Sequence, residues 1–523
     1  MPKTYVVNQR RNFFDLSHEH HTTMRQAVAY PVLCLKYKPG DSLRIIVEQL
    51  TRMLPLQTPT MSNIRLRLDF FRVDHGIVWP EFYDFVKQNG SEENPIIYPH
   101  LEIPVGGYDK SELMDYLGVE PMTGDGTSIN ALPVRSYHKI LNDYYINSNI
   151  QEEVEISTDS GLDTVTPVTL RKVNWSRDRF TNAEISRQKG GDVVLPIGST
   201  APISVTGTGS GEGVAIIPTL SRGLPSSGSS QRAILNRDNV SVLSSTDHVD
   251  GEVGSTSWSS VFNNTVADLS DATGVSLSAL SIAKTLQELR VVDLFAGEHY
   301  PDWQFANYGV RSSDARLQRS EWLGGFKFNI VTSEVLQTSQ STDSSPQGTM
   351  AGHGFSYGKQ GIYVPYLDNF GYIMVIASIM PKAEYSQGLP DYFCQSEPFD
   401  WARPILSHMP LQEIKNKEIY LSKQSDVDEN GEPLNDGRFA YEPMYDNYRR
   451  ISNRISGEFR STLSFWLAGI RKFSEVPKFN EDFIQANPST DIFAVTDSDP
   501  FLVNFSFNIK SLQKLPKFGV PRF

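Results

Sequence analysis

The densest group of potential metal ligands in the sequence is the run His18-Glu19-His20-His21. Imidazole nitrogens and carboxylate oxygens bind zinc, but zinc sites separate their ligands by characteristic intervals and usually combine two clusters. This run is denser than those patterns, and the sequence offers no second cluster to complete it. A polar loop or an interface is therefore the better interpretation of the run.

Carboxylate pairs are the next candidates, because two carboxylates on either side of a glycosidic bond can cleave it. Glu152 and Glu153 lie in a polar run that is typical of a solvated surface. Asp368 and Glu384 flank an apolar segment, and a single sequence does not establish whether they converge. The sequence has no G-x-S-x-G, H-E-x-x-H or Cys/His zinc pattern. We therefore assign no catalytic residue, no cofactor site and no metal site, and we expect that the protein is not an enzyme.

A glycine-rich stretch, 337–361, resembles a phosphate-binding loop at first sight. In such a loop a lysine is followed by serine or threonine and a helix begins there, whereas Lys359 is followed by Gln360 and by no helical pattern. The stretch predicts a flexible polar loop instead. The glycines considered for such a loop are Gly352, Gly354, Gly358 and Gly361, and their spacing does not match the motif.

Basic residues near the two ends of the chain are the candidates for contact with nucleic acid. The tail 511–523 contains no acid, so its cations have no local counter-charge. A solvated arm is the alternative, and from the sequence alone it is the favoured interpretation of the amino-terminal residues. The candidate phosphate-contacting residues are Lys3, Arg10, Arg11, Lys510, Lys514, Lys517 and Arg522.

Three successive β-strands are predicted between Ala27 and His75 to form the scaffold for these residues. A proline and a glycine in the segment 38–41 favour a tight reversal between the first two strands. Apolar and charged residues alternate from Ile64 to Phe70, which places the charged side chains Arg65, Arg67 and Asp69 on one face and the apolar ones on the other. The chain therefore opens with a half-buried antiparallel sheet.

Further elements follow from apolar periodicity and from helix-capping residues. The apolar residues of the long helix 280–298 should lie near one side, and Gly371–Met380 should be a strand buried on both faces. The other predicted helices are Trp79–Val86 with Pro80 in its first turn, Ser111–Leu117 with Ser111 as N-cap, Pro133–Asn149 and Asp302–Tyr308. The other predicted strands are Phe326–Val335, Phe459–Trp466, Asp491–Val495 and Phe501–Ile509.

Composition excludes several classes of protein. The 523 residues carry a net charge of −13, which argues against a surface that binds nucleic acid throughout. Two cysteines, Cys34 and Cys394, are too few for a disulfide framework and fit folding in a reducing cytoplasm. The amino-terminal residues contain no apolar core long enough for a signal peptide, and the longest apolar run, Tyr372–Met380, is far short of a membrane span, so we expect no insertion into a membrane.

The sequence changes character between about residue 185 and residue 278, where glycine, serine and threonine dominate and aromatic residues are sparse. Such a composition does not easily build an independent core, so an insertion that projects from the main body fits it best. The expected organisation is an arm over 1–26, a first set of strands with helical insertions over 27–184, the variable insertion over 185–278, and the remaining strands, interface loops and tail over 279–523.

Four motifs resemble the major capsid proteins of the Microviridae, the small single-stranded DNA phages, and most closely those of the gokushovirus type. They occur in the family's order and span nearly the whole chain, with NKEIYL and RISGEFRS as weaker matches at Asn416–Leu421 and Arg454–Ser461. The most specific of the four is YGVRSSDARLQRSEWLGG. The four are FDLSHEHHTTM at Phe14–Met24, YPVLCLKYKPGDSL at Tyr30–Leu43, YGVRSSDARLQRSEWLGG at Tyr308–Gly325 and SPQGTMAGHG at Ser345–Gly354.

This resemblance implies a mainly β fold, an eight-stranded viral jelly roll with long loop and short-helix insertions. It implies self-assembly through pentamers into a small T=1 icosahedral shell around circular single-stranded DNA. Partners would include a small basic DNA-binding virion protein and a bacterial host receptor, the latter contacted by the variable insertion at the three-fold axes. The protein would lie in the virion, after assembly in the host cytoplasm.

Two other functions remain open from the sequence. A carbohydrate-binding or glycoside-cleaving β-sandwich protein would need the acid pair and, in the secreted case, a signal peptide. A receptor-binding spike would fit the Gly/Ser/Thr-rich insertion but not the motifs in the rest of the chain. Particles seen by electron microscopy would favour the capsid, and a monomer that cleaves glycans would favour the enzyme.

Overall fold

The computed structural model describes residues 10–88, 95–191, 193, 203–205, 232–236, 239–243, 265–267, 277–297, 300–310, 319–336, 350–409, 411–428, 430–495 and 497–517. The chain divides into two compact units. The larger comprises Met1–Lys189 and Val291–Phe523, and the smaller comprises Gly190–Arg290. In the smaller unit the described strands form two short antiparallel pairs.

The described strands are β1 Asn12–Asp15, β2 His18–Met24, β3 Tyr30–Tyr37, β4 Ser42–Met53, β5 Ile64–Asp74, β6 His100–Glu102, β7 Ser128–Asn130, β8 Ile203–Val205, β9 Arg232–Asn236, β10 Asn239–Leu243, β11 Thr265–Ala267, β12 Glu321–Leu336, β13 Met350–Val364, β14 Gly371–Pro381, β15 Glu384–Tyr385, β16 Gln412–Lys415, β17 Arg438–Glu442, β18 Ile470–Arg471 and β19 Phe501–Gln513. The described α-helices are α1 His75–Val78, α2 Phe82–Lys87, α3 Leu113–Tyr116, α4 Leu132–Tyr144, α5 Leu277–Phe295, α6 Tyr300–Tyr308, α7 Asn416–Ile419 and α8 Glu481–Ile484.

The largest sheet among the described residues is antiparallel and has nine strands in the order β1-β19-β4-β13-β12-β5-β14-β3, with β2 also paired to β19. Phe505 of β19 and Val32 of β3 belong to one buried cluster although their strands lie near opposite ends of this order. The sheet therefore curls until its two halves face each other across a common core. This arrangement confirms the predicted mainly β fold and is consistent with a jelly-roll sandwich.

A second buried layer lies on the other face of β14. Its alternate residues Ile373 and Val375 belong to the core between the sheet halves, while Met374 and Ile376 pack against α4 and its neighbours. The prediction of a strand buried on both faces is confirmed. The alternation in β19 and in the first half of β5 is confirmed as well, because their apolar residues are buried at every second position.

The predicted polar loop over 337–361 is wrong where the structure describes it, because residues 350–364 form β13. Gly354 and Gly358 lie where side chains of the neighbouring strands approach β13 closely. A Cβ atom at Gly354 would overlap Sδ of Met53, and one at Gly358 would overlap the ring of Phe328. Glycine is required here by close approach rather than by flexibility. The residues 337–349 lie outside the described part.

The run His18–His21 is a strand and not a loop, because β2 pairs with β19 over its whole length. Two other segments predicted as strands, Phe459–Trp466 and Asp491–Val495, are 3₁₀ turns and irregular backbone instead. In the second segment Ile492 and Phe493 are buried against the core, whereas Val495 there and Phe465 in the first segment are exposed. Burial accounts for the strand-like composition only at Ile492 and Phe493.

Several helices differ from their predicted form. Pro80 separates α1 and α2 instead of opening one helix, and Ser111, at a positive φ of 63°, precedes α3 and does not cap it. α4 ends five residues before the predicted Asn149. The long helix α5 is present, but its apolar side chains are exposed on several sides, so the expected apolar face is wrong.

Candidate nucleic-acid interface and assembly surfaces

Both ends of the described chain meet at one edge of the large sheet. β1 pairs with the last residues of β19, so that Asn12 lies opposite Gln513 and Asp15 opposite Lys510. The Nδ2 atom of Asn12 also donates a hydrogen bond of 2.6 Å to the carbonyl oxygen of Leu515. This pairing brings the amino-terminal and the carboxyl-terminal candidate cations together.

The turn between β3 and β4 completes this edge. Gly40 adopts a positive φ of 88°, and the aliphatic chain of Lys514 lies against it. Lys38 donates from Nζ to Oε1 of Gln513 at 2.7 Å. In the register of β4 and β19, Arg44 lies directly opposite Lys510. Lys38 and Arg44 were missed in the sequence because only long-range strand pairing brings them to the tail.

Two carboxylates among the described residues offset part of this charge. Lys510 forms an ion pair with Asp15, and this hydrogen-bonded cation lowers the pKa of Asp15 to about 2. Lys38 pairs with Asp41 at 2.9 Å. The remaining cations are exposed and form no ion pair with a described carboxylate; they are Arg10, Arg11, Arg44, Lys514 and Lys517. We call Arg10, Arg11, Arg44, Lys510, Lys514 and Lys517 the basic edge.

Of the seven residues predicted from the sequence, the structure therefore brings five together, namely Arg10, Arg11, Lys510, Lys514 and Lys517. Lys3 and Arg522 lie outside the described residues. Arg11 does not extend as a free arm: its guanidinium donates to Oγ of Ser42 at 3.3 Å and lies 5.8 Å from the ring centre of Tyr366.

Exposed aromatic side chains continue from the basic edge along the outer face of β13. Tyr363 lies opposite Arg44 in the register and is 68% exposed, and Tyr357 is 61% exposed. Aromatic rings of this kind stack on bases, while neighbouring cations meet the phosphates of a single strand. The surface thus has both components of a single-strand binding face.

Exposed apolar side chains occur on other parts of the chain. On α5, Leu277 and Ile282 are exposed, Leu277 to 83%, and in the loop before β16 Ile405 is exposed to the same extent. Contiguous apolar patches on a protein surface mark interaction sites, whereas single exposed apolar side chains are common. Such surfaces fit a subunit whose neighbours cover them.

The carboxylates considered for catalysis do not converge. Asp368 and Glu384 lie beyond opposite ends of β14, which has 11 residues. At about 3.3 Å per residue this strand spans roughly 35 Å, far beyond the ~5–10 Å that a glycosidase requires. Asp368 pairs with Arg72, while Glu384 accepts a hydrogen bond of 3.0 Å from Oγ of Ser62. Glu152 and Glu153 are exposed, as predicted.

Two side chains of the histidine run make contacts within the fold. Nδ1 of His20 is 2.9 Å from the carbonyl oxygen of Val32, and the ring of His18 packs on Phe507. Across the described residues, no group of three histidine, cysteine or acidic side chains is placed to hold a metal ion. Likewise, none of the described helices is long and apolar enough to cross a membrane.

Comparison with known proteins decides the family. The model of a family described as "Capsid protein (F protein)" matches residues 4–523. This chain belongs to that capsid protein family. Among its relatives, the capsid protein VP1 of Chlamydia phage 1 is 28% identical over 98% of this chain and 95% of its own length. VP1 of Bdellovibrio phage phiMH2K is 28% identical over 98% and 96%, and VP1 of Spiroplasma virus 4 is 27% identical over 96% and 94%.

These relatives confirm the resemblance to Microviridae capsid proteins that the motifs indicate. The chain is a capsid protein and hence a component of the virion. The relatives with which it aligns are structural capsid proteins.

Proposed function

We propose that this capsid protein assembles through pentamers into a T=1 icosahedral shell that encloses circular single-stranded DNA. The observation that carries the proposal is the match of the capsid family over residues 4–523. The exposed apolar side chains of α5 and of the loop around Ile405 support it, because stable assembly needs buried interfaces of about 1,600 Å² or more. A small basic virion protein would neutralise much of the genome alongside this acidic subunit.

We propose further that the basic edge faces the enclosed DNA. Its cations are contributed by both ends of the chain and by β4, so several phosphates could be met at once. Each subunit of the shell would then offer the same patch, and a weak contact would be multiplied by the symmetry of the particle.

The test is expression of the full chain in a bacterial host, followed by electron microscopy and nuclease digestion of purified particles. We expect small icosahedral particles from the expressed chain. Particles produced during infection should also protect single-stranded DNA from nuclease. A chain that folds but remains monomeric at high concentration would contradict the proposal. A monomer that cleaves glycans would favour the alternative, a carbohydrate-active β-sandwich, against which the separation of Asp368 and Glu384 already argues.

We also propose that the variable insertion, 185–278, contacts the host receptor from the three-fold axes. Loops on a rigid scaffold commonly bind partner molecules. The residues that build the main core all belong to the larger unit, and none of them lies in this segment. Replacing Gln188–Ala272 by a short linker should leave assembly largely intact and reduce attachment to host cells. Cosedimentation of labelled particles with cells measures attachment, and electron microscopy measures assembly. Loss of all assembly by a normally folded variant would contradict this role.

A further inference from the structure

Both chain segments that connect the larger unit to the smaller one pack on Tyr441 of β17. On the incoming side, Glu184 and Tyr441 exchange two backbone hydrogen bonds, of 2.7 and 2.8 Å, shortly before the smaller unit begins at Gly190. On the returning side, Leu294 of α5 forms a buried cluster with Tyr441 and Leu411. One residue of β17 therefore anchors both segments within the larger unit.

Arg187 adds a second contact on the incoming side. Its guanidinium pairs with Glu413 of β16 at 2.7 Å and lies 5.3 Å from the ring centre of Tyr441. The side chain of Arg187 is 55% exposed, and ion pairs at such positions add little free energy. The residues 185–189 form no helix or strand, so the segment depends on these few contacts.

The side chain of Glu184 lines a cavity of about 300 Å³ in the larger unit. Its carboxylate forms no ion pair with a described cation and accepts a hydrogen bond of 3.2 Å from Nδ2 of Asn149. Burial raises the pKa of this carboxyl to about 7, because the hydrogen bond and the attraction of Arg177 offset only part of the desolvation. At neutral pH, Glu184 therefore exchanges between a protonated and an ionised form.

Other carboxylates in the wall of this cavity have partners of their own. Asp143 of α4 pairs with Lys139 at 2.8 Å, and Asp302 of α6 pairs with Arg319 at 2.5 Å. These cations are therefore engaged elsewhere and do not compensate Glu184. The other charged residues that line the cavity are Asp293 of α5 and the exposed Arg177 and Lys189.

The charged groups on the side of β17 are engaged as well. Glu442 is buried and pairs with Arg179 at 2.7 Å, while Arg438 donates to the hydroxyl of Tyr441 at 2.6 Å. Ionisation of Glu184 thus creates a partly buried negative charge with which none of the described cations forms an ion pair.

We propose that the contact of Glu184 and Arg187 with Tyr441 is a pH-sensitive latch, which is closed while Glu184 is protonated and opens as Glu184 ionises. When residues 184–189 separate from β17, water can hydrate the carboxylate, so ionisation favours the open form. A rise in pH would therefore release the incoming connection of the smaller unit. The inference goes beyond the proposed function, because it holds whatever molecule the variable insertion contacts.

The expected size of the effect follows from proton linkage. The closed form is fully favoured below the ordinary value of 4.5, and this preference is lost as the pH rises to about 7. Complete hydration in the open form would raise the ratio of open to closed forms about 30-fold between about pH 5.5 and about pH 8. Because solvent already reaches part of the carboxyl, we expect a change on the order of tenfold.

The test is amide hydrogen exchange of full-length, unassembled subunits at these two pH values, with correction for the intrinsic exchange rate at each pH. Peptides that cover residues 183–188 and β17 report the latch, and peptides from β19 report unfolding of the whole subunit. The variant E184Q keeps a neutral side chain of the same shape. The matched variant E413Q removes the partner of Arg187 and leaves Glu184 in place.

We expect the parent chain to lose protection in the latch peptides on the order of tenfold at the higher pH, since the open form is then more populated. E184Q should show equal protection at both pH values. E413Q should lower the protection at both values and retain the dependence on pH. In all three chains the latch peptides should be less protected than β19, because the latch opens without unfolding of the sheet.

Three results would overturn the proposal. Equal pH dependence in the parent chain and E184Q would show that Glu184 does not control the contact. Loss of the pH dependence in E413Q would make Glu413 the titrating group. Protection of the latch peptides equal to that of β19 would mean that they exchange only when the whole subunit unfolds. None of these measurements requires shells or a receptor, so a failure of the proposed function is distinguishable from a failure of the latch.

Discussion

At the scale of single residues, most buried charges of this capsid protein are paired. Arg135 donates to Asp163 at 2.7 Å, and Arg72 pairs with Asp74 at 2.8 Å. Glu184 differs, because it is largely buried and forms no ion pair with a described cation; its carboxylate accepts a hydrogen bond of 3.2 Å from Nδ2 of Asn149. Desolvation therefore raises the pKa of Glu184 to about 7.

This raised pKa makes stability depend on pH. The native carboxyl holds its proton up to about pH 7, whereas the unfolded one releases it near its ordinary value of 4.5. The free energy of unfolding should therefore fall as the pH rises between these values. Glu184→Gln cannot ionise, so we expect a flatter pH profile and a gain of about 1–2 kcal/mol above pH 7, after allowance for partial exposure.

Urea unfolding of unassembled subunits at several pH values measures this effect. The control is Glu152→Gln, which removes an exposed carboxylate and should leave the pH profile unchanged. Parallel profiles for the parent chain and Glu184→Gln would contradict the expected linkage.

At the scale of elements, β13 shows how side chains of its neighbouring strands β4 and β12 determine where glycine is needed. Its glycines leave room for Met53 and Phe328, which cross the strand where side chains would normally project. The glycine-rich composition that resembled a loop is thus a requirement of packing. The strand is held on both edges, by β4 and by β12.

Gly358→Val should destabilise the subunit, because its side chain would overlap the ring of Phe328. Overpacking of this kind typically costs about 1–3 kcal/mol. Gln360→Val, an exposed position on the same strand, places the same side chain without that overlap and is the control. Thermal unfolding followed by circular dichroism compares the two, and an equal midpoint for both variants would contradict the packing argument.

Patterns of apolar and polar residues within a short stretch of sequence predicted those strands whose residue types are set by burial of one or both faces. The alternation in β5 and β19 and the apolar run of β14 follow directly from burial on one or two faces. β13 was missed, because two of its glycines make room for side chains that are distant in sequence, Met53 and Phe328. For the same reason the sequence indicated the cations at the two ends of the chain but not their meeting with Lys38 and Arg44.

At the scale of the whole molecule, the single chain leaves much apolar surface exposed. Leu277 and Ile282 of α5 and Ile405 before β16 face solvent in the isolated subunit. An exposed apolar side chain gains free energy only when a partner covers it, at about 25 cal/mol per Å². These positions should therefore matter for assembly and little for folding of the subunit.

Ile405→Asp tests this separation. We expect a melting temperature of the unassembled subunit close to that of the parent chain and a strong loss of shells, because the charge would be buried in an interface. Gln424→Asp, another exposed position in the same part of the chain, should assemble normally. Shells counted by electron microscopy and light scattering give the readout, and normal assembly of Ile405→Asp would exclude this loop from the interface.

The position of β19 has a consequence for biosynthesis. This strand, Phe501–Gln513, inserts between β4 and the pair β1 and β2, which the ribosome makes almost an entire chain earlier. Until it emerges, β4 keeps an unpaired edge, and such edges recruit strands from other nascent chains. Prematurely terminated chains that lack β19 should thus precipitate or bind chaperones. Such chains should not enter shells, so only chains translated through β19 would be incorporated into particles.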